Sequence, residues 1–147
     1  ILLFLYSCGY TPIYKANQKP NFSLDAISFS GDKKIGRKIE KNLEKFSNNE
    51  TKNIFDVSFF SSKTQKVVTK DKKGDPSSFK LIIEVKLNLV SKTKEKTLEK
   101  SFIKEATFDS MDNKFELNQY MNNIERNMIF NILEDMNTFF NIFENDL

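Results

Sequence analysis

Cys8 is the sole cysteine of the 147 residues, and its neighbours give that thiol a specific chemistry. The apolar run Ile1-Leu2-Leu3-Phe4-Leu5 precedes it, followed by Tyr6 and the small residue Ser7. An apolar stretch enters a membrane, a small residue fits a signal peptidase, and the thiol that follows receives a diacylglyceryl group. That is the layout of a lipoprotein processing site. A secretory apolar region spans about 7–15 residues behind a basic segment. Residues 1–7 are therefore read as the closing part of a lipoprotein signal peptide, and Cys8 as the acylated residue. Two or three acyl chains on one cysteine anchor a protein stably where a single chain does not. The plain alternative is a buried N-terminal strand ending in an inert core cysteine.

Other chemistries lack raw material. The chain has no histidine, which removes His-dependent triads, His-ligated zinc and imidazole general bases. Four glycines leave nothing from which to build a phosphate loop or a dinucleotide turn. Asp and Glu stand mostly singly among lysines, with no recognised catalytic acid pair and no metal-ligand spacing. The expectation is a non-enzymatic chain with no metal and no cofactor beyond the acyl chains on Cys8. A single cysteine also precludes an internal disulfide. No later segment reaches the ~20 apolar residues of a membrane-spanning helix.

The net charge of +3 is unevenly placed. Lys33, Lys34, Arg37, Lys38, Lys41 and Lys45 oppose only Glu40 and Glu44 in one segment. Lys63, Lys66, Lys70, Lys72 and Lys73 oppose only Asp71 in another. Such surfaces suit anionic lipid or an acidic partner, or are simply solvated faces of a Lys- and Asn-rich protein. Nucleic-acid binding does not fit an exported, lipid-anchored chain.

These groups need a scaffold, and the chain supplies one. Residues 8–20, with Pro12 and Pro20, form an extended tether. Residues 21–147 form one domain. Asn21 to Ser30 reads as a first strand whose alternation changes phase between Leu24 and Ile27, a bulge signal. Asp32 caps a helix from Lys33 to about Ser47, with Ile35, Ile39, Leu43 and Phe46 on one face. Ile54 to Phe60 alternates as a half-buried strand. Val67 and Val68 are candidates to extend its pairing before the Lys72-Lys73-Gly74-Asp75-Pro76 turn. Phe79 to Leu89 is the clearest strand, with Ile82 the exception to its alternation. Thr97 to Phe108 follows as an edge strand whose inward-leaning Lys100 and Lys104 discourage edge-to-edge pairing. A long helix from about residue 114 to Glu144 carries a broad stripe that includes Leu117, Met128, Ile132, Met136 and Phe143, widened by Tyr120 and Phe140. The order β-α-β-β-β-α predicts an α+β two-layer sandwich: a four-stranded, mainly antiparallel sheet with two helices on one face and a polar opposite face.

Cys8-Gly9-Tyr10-Thr11-Pro12-Ile13-Tyr14 resembles the start of LptE lipoproteins of the alphaproteobacterial type. Gly36 to Leu43 is similar to that family's first-helix Arg and Leu spacing, and Phe79 to Leu89 with Leu98 to Phe102 resembles its central hairpin. The last helix departs from the family in being poor in Ala. The resemblance implies a lipopolysaccharide-assembly lipoprotein on the periplasmic face of the outer membrane. It would plug and support the β-barrel LptD and aid lipopolysaccharide delivery to the outer leaflet. Gly9 accords with outer-membrane sorting. Cys8 is the one functional residue carried over. From charge alone, Lys63, Lys66, Lys70, Lys72 and Lys73 are the candidate lipopolysaccharide contacts, since ammonium groups pair with its phosphates and carboxylates. The alternative is a lipid-anchored periplasmic binding module of another envelope-assembly complex.

Overall fold

The computed structural model describes residues 20–147, so the signal segment, Cys8 and the tether up to residue 19 lie outside the described residues. The elements are β1 (Ser23–Gly31), α1 (Lys33–Leu43), a 3-10 turn (Glu44–Phe46), β2 (Ile54–Lys70), β3 (Pro76–Ser91), β4 (Thr97–Asp109) and α2 (Lys114–Asn145). The strands lie in sequence order β1-β2-β3-β4. β1 pairs parallel to β2 across the α1 crossover, and the other two pairings are antiparallel. This is the predicted α+β sandwich.

Local chemistry sets each boundary. Gly31 has φ 91°, and a Cβ there would stand 2.0 Å from the Ser61 carbonyl oxygen, so the β1–α1 corner needs glycine. Asp32 then caps α1, its Oδ1 accepting from the N–H groups of Lys34 and Ile35. The α-helix stops at Leu43, short of the predicted Ser47, because its last residues tighten into the 3-10 turn that delivers Phe46 to the core. The phase change in β1 is a register shift between Leu24 and Ile27.

β2 departs most from expectation. It runs to Lys70, ten residues past Phe60, and pairs with β3 nearly to the turn, Lys66 facing Lys80 and Val67 facing Phe79. A Lys-rich stretch has poor intrinsic strand preference, but the alternating β3 beside it offers a complete ladder. β1 ends opposite Ser61, so this half of β2 has a neighbour on one side only.

The core lies between the sheet and both helices. Phe22 stacks on Phe46 at 5.4 Å and on Phe140 at 5.6 Å, and Phe143 closes edge-on against Phe22 and Phe55. α2 has 32 residues, about 48 Å at 1.5 Å per residue. From Glu125 onward it is buried along one side, with Met128, Ile132, Met136, Phe140 and Phe143 in the core. Its first three turns only lean on the sheet: Leu117, Met121 and Ile124 are half-buried, and Tyr120, expected within the stripe, is exposed. The opposite sheet face is not uniformly polar either. Phe60, Val90 and Ile103 are exposed on it, in register with Lys86, Asp56 and Glu84.

Candidate functional site

The five candidate lysines do not act as one group. Lys63 points to the helix side and donates to Glu125 Oε2 at 2.9 Å. Lys66 lies on the other face, directly opposite Lys80. Lys70 faces Pro76, while Lys72 and Lys73 sit in the turn beyond. That turn is built by Asp71, whose Oδ1 accepts from the N–H groups of Lys73 and Asp75, with Gly74 at φ 89°. None of Lys66, Lys70, Lys72 and Lys73 has a carboxylate oxygen within 4.0 Å among the described residues.

Tertiary contacts bring acids to the same end. Asp109 pairs across from Ser78, and the Ser110 N–H binds the Ser77 carbonyl, which holds the start of the β4–α2 connection close to the hairpin tip. The hairpin is thus a solvated, mixed-charge projection with a basic tip. Sequence counting saw Asp71 alone. It also missed Lys80, which faces Lys66 across the ladder and is paired with Glu105 at 3.3 Å on its other side.

Glu125 is the ionisable group the structure singles out. Its side chain is 7% exposed, between Lys34 Nζ at 2.8 Å from Oε1 and Lys63 Nζ at 2.9 Å from Oε2. The Lys34 contact is an ion pair without the alignment of a hydrogen bond, since Oε1 has no hydrogen-bond donor among the described residues. Burial pushes this carboxyl up, but the two ammonium groups together pull harder, and its pKa falls below the usual carboxylate range. The cluster ties the first turn of α1, the middle of β2 and the middle of α2 at one point. A signal existed in the sequence: Glu125 stands on the core stripe between Met121 and Met128, at helical spacing. A cleft lined by Lys63, Gln65, Asn118, Met121 and Asn122 opens beside it.

A second charged strut holds the far end of the sheet. Lys92 bonds Asp25 in the β1 bulge and lies 3.7 Å from Asp56. The hydrogen bond with Asp25, reinforced by both carboxylates, raises its pKa. Among the described residues no cluster of three or more metal-ligating side chains occurs, and no helix is long and apolar enough to cross a membrane.

No protein-family model matches the chain, and no curated protein matches it by sequence. Solved structures do match by fold. The rare lipoprotein B from Shewanella oneidensis is similar with a TM-score of 0.56 at 13% identity, over 78% of this chain and 95% of that one. An uncharacterized lipoprotein B from Nitrosomonas europaea is similar with a TM-score of 0.56 at 9% identity, over 84% of this chain and 86% of that one. At such identities the likeness is one of fold: this chain adopts the α+β architecture seen in those two lipoproteins.

Proposed function

We propose that this protein is a non-enzymatic, lipid-anchored envelope lipoprotein of the LptE type. It is held by acyl chains on Cys8 to the periplasmic face of the outer membrane, and it plugs and supports the LptD barrel during lipopolysaccharide delivery. The observation that carries this reading is the agreement of fold with the rare lipoprotein B structure along 95% of that chain. The Leu5-Tyr6-Ser7-Cys8-Gly9 processing site supports it independently. A plug needs a compact domain with a polar exterior, and the solvated hairpin and lysine-covered α1 supply that exterior. Lys66, Lys70, Lys72 and Lys73 remain available for lipopolysaccharide phosphates. Lys63 is paired with Glu125 and is therefore the least free of the five.

The test is a mild-detergent pull-down of tagged protein from its own membranes, with Cys8→Ala alongside and labelled palmitate as a readout of acylation. Recovery of a large outer-membrane barrel with the acylated chain supports the plug reading. Recovery of a different envelope complex overturns the LptD assignment, and absence of label on Cys8 overturns the anchor. Neutralising Lys66, Lys70, Lys72 and Lys73 together should weaken lipopolysaccharide binding; unchanged binding would remove the hairpin from that role.

A further inference from the structure

α2 ends in a turn whose charges are unmatched. The turn has no basic residue, and neither Glu144 nor Asp146 has a lysine or arginine nitrogen within 4.0 Å among the described residues. Carboxylates there also meet the negative end of the helix dipole, where cations are favoured. The chain enters the domain at this same place, the Asn21 N–H donating to Glu144 Oε1 at 2.7 Å. Just upstream in the sequence stand Lys15 and Lys19, and before them the largely apolar segment Tyr10-Thr11-Pro12-Ile13-Tyr14. A groove opens on the other side of the helix end, between α2 and β4. Phe102 and Phe139 meet edge-on in it with ring centroids 5.9 Å apart, and Ile142 stands at its lip, 59% exposed. Asp135 in its wall is paired with Lys104 at 2.6 Å. Lys100 lines it too, has no carboxylate within 4.0 Å among the described residues, and guards the β4 edge against an incoming strand.

We propose that the Tyr10–Tyr14 segment of this chain's own tether fills the groove, with Pro12 and Ile13 against Phe102, Phe139 and Ile142. A tyrosine ring then lies beneath the Lys100 ammonium, an arrangement this fold already uses where Lys96 sits 5.7 Å over the Phe143 ring. A proline-bearing segment packs through its side chains and needs no ladder, so the lysine that repels a strand does not oppose it. Chain length permits the path. Ile142 and Glu144 are two residues apart and so lie on opposite sides of α2. Residues 15–20 reach about 20 Å when extended, enough to round the end of a helix about 10–12 Å across. That route carries Lys15 and Lys19 past Glu144 and Asp146. A segment joined through so short a linker also has an effective concentration on the order of millimolar, which favours it over a separate chain. Docking holds Cys8 beside the aromatic half of the domain, away from the tip of the β2–β3 hairpin. Under the plug reading this turns the hairpin away from the anchoring leaflet; the docking itself rests on neither acylation nor a barrel.

The unacylated full chain in detergent-free buffer, with Cys8→Ala removing the native thiol, tests this in the absence of any barrel, so this inference and the plug reading can fail separately. Ile13→Cys combined with Ile142→Cys should close an intramolecular disulfide on mild oxidation. Ile13→Cys combined with Asn141→Cys should close more slowly, although Asn141 is exposed and lies on the side of α2 nearer the entry at Glu144. A tether without a seat would find Asn141 at least as readily. Trypsin gives a second readout. Cleavage tracks the undocked population, so Ile142→Glu should be cut after Lys15 about ten-fold faster than the unsubstituted chain. Its fold should be intact by circular dichroism, because Ile142 is exposed. Equal closure of the two cysteine pairs, a disulfide between two chains instead of within one, or unchanged cleavage after Lys15 overturns the proposal.

Discussion

The two ends of this molecule are built from the same strands to different standards. At one end, Phe22, Phe46, Phe55, Phe140 and Phe143 interlock beneath α1 and the second half of α2, all of them buried. At the other, the β2–β3 hairpin runs on past α1, and the first half of α2 covers it loosely. Val67 there is 46% exposed and Phe115 68% exposed. Alternation persists through both ends of β3, and burial thins there: Leu81 and Phe108 are still covered, Phe79 is half-buried and Val67 is open. The contrast teaches that a strand pattern marks which face is apolar, not whether anything lies above it. It also separates stability from recognition: the aromatic end holds the fold, and the open end presents charge and edge to solvent.

Substitutions should map this gradient, and the steepest response belongs to the aromatic end. Phe140→Ala removes a ring that touches Phe22, Phe46 and Phe139, and should cost about 3–5 kcal/mol in urea unfolding. A loss below about 1 kcal/mol would mean that the cluster is not the stabilising core. Gly36→Ala comes next. A Cβ at Gly36 would stand 2.3 Å from the Phe29 ring, so the variant should lose about 1–3 kcal/mol despite alanine's better helix propensity. A gain in thermal midpoint would show that Phe29 moves aside freely.

At the junction of the two ends, Glu125→Gln should cost about 1–2 kcal/mol at pH 7 by loosening Lys34 and Lys63. The pH dependence follows from the lowered pKa. A carboxyl whose folded pKa lies below its unfolded value contributes fully above that unfolded value, about 4.3. The contribution is lost as pH falls through the folded pKa. The gap between the natural chain and Glu125→Gln should therefore narrow from pH 5 downward. A gap that stays constant would remove the ion pairs as its cause. The smallest effect belongs to the hairpin. Lys66→Glu sets an opposite charge across from Lys80, which Glu105 already partly neutralises, and should stabilise by at most about 0.2–0.5 kcal/mol at low salt. Destabilisation there would show that the distal register is not the one described.

Much of the fold is legible in the sequence, for identifiable reasons. The alternation of Phe79 to Leu89, the Asp32 cap, the phase change after Leu24 and the three- and four-residue spacing along α2 are local patterns with local causes, and each reappears in place. Where that reading falls short, the cause is non-local. Of the last ten residues of β2 only Val67 and Val68 signalled pairing, because the strand state of this stretch is imposed by β3. Tyr120 was counted as core because helical spacing does not report where the covered part of a helix ends. The candidate site was less legible still. Charge counting grouped five lysines by proximity in sequence, whereas strand pleating sends Lys63 and Lys66 to opposite faces. It also passed over Glu125, whose meaning lies in two lysines from other elements.

By itself the sequence determined the order of elements, their facing and the chemistry open to the chain: one thiol behind an apolar run, no imidazole, and lysine-rich segments. Those follow from residue types and their short-range spacing. Tertiary structure alone decided which charges are paired, how far β2 runs and which turns of α2 are core. Such outcomes depend on what lies opposite each side chain, and that is set when β1 ends at Ser61 while β2 continues.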